Sequence, residues 1–300
     1  MTTQMTRSER GQHDALPPGS RPGVVAGGGS LPAAVARRLA EAGHSPFVLI
    51  VEGEVTRFLA ELSAYDHEIL PLENIGNLVP ILKRHGVTHL VLAGEIRRRP
   101  RLSAVRLSIG LLKILPELVK GLVLGDDGIL RIIVRGLEAR GIAVVGPHQI
   151  VPDVLAPDEV LTRAKPQKSD WIDIEQGFIA AKTIGALDVG QAAVSIGGRV
   201  IALEGIEGTA GLLDRVAELR SHGRLAGKAR GVLVKCAKPQ QELRVDLPTI
   251  GPQTVDSAHR AGLAGIVVEA EKSFILDSGL VMEKADALGL FVMGLKREQP

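Results

Sequence analysis

Between Arg21 and Gly43 the chain reads RPGVVAGGGSLPAAVARRLAEAG: a short apolar run, three glycines, a serine, a proline and a helix-forming stretch. A strand that passes through glycines straight into a helix start constrains the fold strongly. The glycines permit a tight turn with no Cβ in the way, and Pro32 suits the first turn of a helix. Gly23 to Ala26 is expected as strand, Ser30 as N-cap, and the helix should run to about Ala42. SPFVLIVEGE and HGVTHLVLAGEI read as two further buried strands, with LENIGNLVPILKR between them at helical spacing. GDDGILRIIVRGLEARG reads as a helix with acidic residues at its positive end, and IAVVGP as a closing strand. Continuously apolar strands alternating with helices are the pattern of a parallel sheet covered on both faces. Residues 21–150 therefore predict a doubly wound, Rossmann-like α/β domain.

Residues 151–168, rich in proline and charge, read as a linker, and residues 1–20 as a loose polar tail. A second α/β domain is expected over 169–297. Its elements are a helix (WIDIEQGFIAAKTIGALD), a hairpin turning at Gly197-Gly198, an amphipathic helix (TAGLLDRVAELRSHG) and a buried strand (GVLVKCA). Helix, strand, strand, helix and strand then follow from Gly251 to Lys296.

Composition removes several classes of function. Aromatic residues are 2% of the chain and the net charge is +2, which argues against base stacking and against global attraction to a polyanion. One cysteine rules out an intrachain disulfide, and eight histidines without ligand spacing argue against a histidine-rich metal site. The tail has no apolar core of a secretory signal. The most apolar stretch, Leu107 to Gly125, is interrupted by Lys113, Pro116, Glu117 and Lys120, so a membrane span is not expected. A cytoplasmic location fits.

Several stretches bear residues suited to chemistry. The glycine turn offers backbone donors at Gly28, Gly29 and Ser30 to a phosphate, although the third glycine of a dinucleotide fingerprint is absent. Glu52, at the end of the next strand, lies about where a ribose-binding acid would sit. Arg97, Arg98, Arg99, Arg101 and Arg106 form a basic loop after the third strand, next to the apolar helix 107–124, and suit either a phosphate or an anionic membrane surface. Asp126 and Asp127 either cap a helix or hold Mg²⁺ or a sugar hydroxyl. Glu204, Glu207 and Thr209 sit between a strand and a helix. Asp246, between Val245 and Leu247 and just before Pro248, is a carboxylate among apolar neighbours that needs a cation or several donors.

The ordered set AGGGSLP, KGLVLGDDGILR, GPHQ, LDVGQAAV, EGIEGTAG and KPQQELRVDLPTIG resembles the UDP-2,3-diacylglucosamine pyrophosphatases of the LpxI type, over nearly everything from Gly23 to Leu295. The resemblance implies Mg²⁺-dependent hydrolysis (Mn²⁺ as an alternative) of a lipid-linked UDP-sugar to UMP and 2,3-diacylglucosamine 1-phosphate in lipid A synthesis. It implies two α/β domains with the ligand between them. It also implies a protein at the cytoplasmic face of a Gram-negative inner membrane, held peripherally. Asp246, in the DLP motif, is the implied essential aspartate and metal ligand. The implied substrate contacts are Gly28, Gly29, Ser30, Leu31, Asp127, Gln191, Glu207, Thr209, Lys238 and Thr249, with Lys238 a candidate partner of Asp246. Two positions depart from the family pattern: Ala210, where EGTD is commoner, and Glu95. Ala210 is the one feature that favours the alternative, a nucleotide-sugar or lipid-phosphate binding protein without turnover. The oligomeric state, monomer or homodimer, stays open.

Overall fold

The computed structural model describes residues 16–96, 98, 125–221, 223, 225, 230–239 and 241–297; the side chains of residues 125–127 and 129 lie outside that set. The expected tail up to residue 15, the apolar helix 107–124 and the basic loop apart from Arg98 also lie outside it. The chain divides into two compact units. The second takes the segment ending at Arg131 and everything from Asp153, and the first takes the rest.

The first unit comprises β1 (Pro22–Ala26), α1 (Leu31–Glu41), β2 (Phe47–Val51), α2 (Leu59–Leu62), β3 (Asp66–Leu70), α3 (Leu78–Arg84) and β4 (His89–Ala93). Helix α4 (Gly125–Glu138), whose last turns belong here, β5 (Ala143–Val145) and α5 (Pro147–Ile150) complete it. All its strands are parallel, in the order β3-β2-β1-β4-β5. This is the doubly wound, Rossmann-like order, with the switch point between β1 and β4, as expected. β1 and β2 are buried along their whole length, with Val24 facing Val48 and Val91 in register.

Strand β3 had no counterpart in the sequence reading. Its sequence, DHEIL, carries three titratable residues, because it is the sheet edge and its polar side chains are neutralised locally. Asp66 accepts from Arg21 at 2.7 Å, and Glu68 is bonded by Arg84 and by His85 at 2.6 Å. Ser30 does occupy the N-cap position of α1, but its side chain makes no capping bond.

The second unit is a mixed sheet in the order β12-β10-β8-β6-β7. β6 (Ala192–Ile196) and β7 (Arg199–Leu203) form the predicted hairpin; β8 (Val232–Lys235), β10 (Gly265–Glu269) and β12 (Phe291–Leu295) run parallel. β9 (Thr249–Ile250) and β11 (Phe274–Ile275) pair separately. Alternate residues of the strands feed two cores. Val232 and Val234 meet Ile174, Phe178 and Ala181 of α6 (Asp170–Ala186). Leu233 joins α7 (Gly208–Ser221), α8 (Pro252–Arg260) and α9 (Ser278–Leu288) on the other face. Residues 159–162 run along the open edge of β12: Leu161 donates to the Val292 carbonyl and Thr162 accepts from the Val292 amide, both at 2.9 Å. The segment thus covers an edge that would otherwise offer unpaired backbone groups.

Two side chains tie α6 to the sheet. Asp173 is buried and accepts from Ser195 Oγ and from the amides of Gly197 and Gly198, the two residues with positive φ that make the hairpin turn. Asp170 accepts a two-pronged bond from Arg230 at 2.9 and 2.7 Å and another from the Gln167 amide. Burial pushes the Asp170 carboxyl up, but the Arg230 bonds and the Gln167 amide outweigh it, so the net displacement is downward. A lowered carboxyl stabilises the fold above its unfolded value of about 3.9, and the contribution is lost as pH falls through the folded value. Asp170→Asn should therefore unfold at lower urea than wild type near neutral pH, and the gap between the two midpoints should narrow as pH falls below the ordinary carboxylate range through the lowered folded value.

Gly177 sits in the middle of α6 because that helix lies hard against β8. A Cβ there would approach Val234 Cγ2 to 2.4 Å. Gly177→Ala should cost about 1–3 kcal/mol through overpacking, despite the better helix propensity of alanine, read as a lower denaturation midpoint.

Candidate active site

In the first unit the glycine turn after β1 is shaped by a backbone crossing. The Gly27 amide donates to the Ala93 carbonyl at 2.8 Å, and Gly28 and Glu95 exchange two bonds at 2.7 and 3.1 Å. A Cβ on Gly27 would come within 2.7 Å of the Glu95 carbonyl oxygen. Gly94, at φ +88°, would set a Cβ 2.4 Å from the Gly28 carbonyl oxygen. The first glycines thus let two loops touch, and the Gly28 N–H, expected as a phosphate donor, is spent on Glu95. The N–H groups of Gly29, Ser30 and Leu31, at the start of α1, remain as the candidate anion donors of this unit. Glu52 uses its backbone carbonyl to accept from Arg98 Nη2, and Glu54, whose side chain is buried, accepts from the Arg98 amide at 3.1 Å. Asp127 lies in the first turn of α4, with its side chain outside the described set.

The second unit gathers most of the remaining candidates at one end of its sheet. β6 runs against its neighbours, so the start of β6 and the carboxyl ends of β7, β8 and β10 share an edge. Carboxyl ends of parallel strands are where α/β proteins bind ligands. Glu204 follows β7 and is 5% exposed. Its carboxylate accepts from the Gln191 amide at 2.8 Å and from Thr209 Oγ1 at 2.6 Å. Lys235, the last residue of β8, is 7% exposed and donates to Thr209 Oγ1 at 3.0 Å and to the Thr249 carbonyl at 3.1 Å. One lysine thereby fastens the start of α7 to the start of β9. Lys235 was read only as part of a buried strand; a lysine closing the apolar run GVLVK was the signal available.

Asp246 stands beside this cluster. The chain after β8 makes a turn in which the amides of Val245 and Asp246 both donate to the Glu242 carbonyl. Arg244 grips the Glu242 carboxylate at 2.8 and 2.9 Å. That bond holds the Glu242 carboxyl below the usual carboxylate range, against the upward push of burial. Pro248 accepts at its carbonyl from the Phe274 amide at 2.7 Å, which anchors the chain just past Asp246. The carboxylate of Asp246 is half-buried, and Gln241 Nε2 donates to its Oδ2 at 2.6 Å. Lys238 pairs through Nζ with Asp188 Oδ1 at 2.5 Å, and its amide donates to Gln241 Oε1. Glu207 pairs with Arg215 at 2.8 Å. Gln191, Thr209, Thr249, Lys238 and Asp246 are thus linked through Glu204, Lys235 and Gln241; of these three the sequence reading singled out only Glu204.

Below the edge, Cys236 donates its amide to the Gln191 carbonyl, and its thiol is buried. Burial, and next the nearby Glu269 carboxylate, push that thiol far up. Glu269 itself accepts from Lys182 at 2.6 Å and from the Ala237 amide at 3.0 Å.

Among the described residues no group of three His, Cys, Asp or Glu side chains could cage a metal. Asp188 and Glu242 are taken up by Lys238 and Arg244, so the carboxylate offered here is that of Asp246, with the amide oxygen of Gln191 linked to it through Gln241. All are oxygen donors, which suits Mg²⁺, an ion that keeps most of its water and commonly shares the rest of its shell with substrate phosphate.

Glu204→Gln tests the cluster. An amide has one acceptor oxygen, so either the Gln191 amide or the Thr209 hydroxyl would face an N–H₂ group. The expected cost is about 1–3 kcal/mol in chemical denaturation, with faster hydrogen exchange at the Gln191 amide.

Comparison with known proteins extends over both units. The model of the LpxI N-terminal domain matches residues 21–154, and that of the LpxI C-terminal domain matches residues 157–293. The UDP-2,3-diacylglucosamine pyrophosphatase LpxI of Caulobacter vibrioides is 37% identical over 278 residues, covering 92% of this chain and 98% of that protein. Among solved structures, CobK precorrin-6A reductase aligns with a TM-score of 0.31 and 13% identity, over 93% of this chain and 89% of the other.

Proposed function

This chain belongs to the LpxI family, and we propose that it hydrolyses UDP-2,3-diacylglucosamine to UMP and 2,3-diacylglucosamine 1-phosphate in lipid A synthesis. The observation that carries the reading is the presentation of Asp246. A turn braced by Glu242 and Arg244 delivers it, Pro248 anchors the chain beyond it, and Gln241 grips one of its oxygens.

In the reaction, water adds to one phosphorus of the diphosphate and the bridging P–O bond breaks. The leaving phosphate takes the electron pair, and one proton of the water is released. Asp246 Oδ1 is the group we assign to orient that water and accept its proton, or to hold the metal. The lysines support the same chemistry, because Lys235 and Lys238 add positive charge at the edge where a dianionic diphosphate would lie. Thr209 and Gln191 are the assigned substrate contacts, set in place by Glu204.

Mg²⁺ is proposed as the cofactor, held by Asp246 and the substrate's own phosphates. When bound, it would neutralise the diphosphate and lower the pKa of a coordinated water. The substrate's acyl chains belong in a bilayer, so the protein is proposed to work peripherally at the cytoplasmic face of the inner membrane. Among the described residues no helix is long and apolar enough to cross a membrane.

The test is UMP release from UDP-2,3-diacylglucosamine in detergent, with Mg²⁺ or with EDTA. Wild type should release UMP only with the metal, and a folded Asp246→Asn variant should be slower by about 10³-fold. Full activity in that variant would remove Asp246 from the chemistry. No release by well-folded wild type would overturn the assigned reaction.

A further inference from the structure

Gln241 lies in KPQQELRVD, a stretch whose polar residues look interchangeable in sequence. In the structure it is 8% exposed, and both ends of its amide are committed. The Lys238 backbone N–H points at Oε1 from 2.9 Å. A backbone amide can only donate, so the atom it faces must be the amide oxygen. The N–H₂ end is thereby forced the other way, onto Asp246 Oδ2 at 2.6 Å, with Gln191 Oε1 at 3.5 Å. An N–H₂ group can only donate in turn, so the Asp246 oxygen it meets is an acceptor.

We propose that Gln241 is a positioning residue: it fixes the rotation of the Asp246 carboxylate and leaves Oδ1 as the oxygen that faces the reaction. The proposal rests on the assignment of Asp246 made above. The Lys238 amide sets the polarity, the Gln241 amide transmits it, and Asp246 receives it. The chain can enforce this only because the turn after Lys238 is short: the Gln241 amide donates to the Lys238 carbonyl, and the Asp246 amide to the Glu242 carbonyl. Donor and acceptor therefore sit five residues apart on one folded loop.

Gln241→Glu separates this role from a structural one. Glutamate keeps the length and keeps an acceptor for the Lys238 amide, so a loop that needs only that bond would be preserved. It replaces the donor facing Asp246 by a second carboxylate oxygen. Gln241→Met keeps the length and removes both bonds. Positioning predicts that both variants lose kcat by on the order of 10- to 100-fold, with KM within about twofold of wild type. A purely structural role predicts that glutamate restores what methionine loses. Combined with Asp246→Asn, Gln241→Glu should add no further loss, because the group it acts through is already gone.

The readout independent of activity is the crystal structure. Wild type should show Gln241 Nε2 within hydrogen-bond distance of Asp246, and Gln241→Glu should show the Asp246 carboxylate turned away. Wild-type kcat in a folded Gln241→Glu variant overturns the proposal. So does an experimental wild-type structure without the Gln241–Asp246 contact, which decides the matter even where neither variant folds. If Asp246→Asn is inactive while Gln241→Glu is fully active, this inference alone fails. If Asp246→Asn is fully active, the assignment beneath it fails too.

Discussion

A carboxylate placed at the end of a buried sheet has to be met by donors, and the site edge of the second unit is organised around how Glu204 is met. It takes one donor from the residue that opens β6 and one from the first turn of α7. Strand and helix are thus set relative to each other by a single side chain. Thr209, donating its hydroxyl hydrogen bond to Glu204, offers its lone pairs to Lys235, and Lys235 reaches on to the Thr249 carbonyl. Each link is directional, so the order of donors and acceptors admits one arrangement. Networks of this kind specify a geometry when every member is satisfied.

The network does not bind Asp246 directly. It holds the ground on either side of it: Thr249 after the DLP motif, and Gln191 next to the glutamine that grips the carboxylate. Asp246 itself is left half-buried, on a loop whose curvature comes from the Glu242–Arg244 pair and from Pro248.

Much of this was legible in the sequence, and what was not has physical causes. Buried strands and their helices were readable because burial on both faces leaves an unbroken apolar run, as in FVLIV and VLVK. β3 was not, because an edge strand answers to its neighbours' charges: DHEIL makes sense only beside Arg21, Arg84 and His85. The glycine turn was read for what it could bind. Its first two amides turned out to serve the crossing with the loop after β4, a partner nearly seventy residues away. Asp246 could be singled out from DLP and a family likeness. Gln241 and Lys235 could not, since their roles depend on the direction of bonds to residues on other elements. A glutamine in a polar stretch and a lysine at the end of a strand have many ordinary explanations.

Cys236 lies directly below this edge, next in sequence to Lys235 and bonded through its backbone to Gln191. Its thiol is sealed and held in the unreactive protonated form. Because it is the one cysteine of the chain, any thiol reagent that modifies the protein has reached the floor of the site. The rate of that modification therefore reports the spontaneous opening of the sheet edge under the Asp246 loop. The chain thus carries a single-copy breathing gauge at this edge.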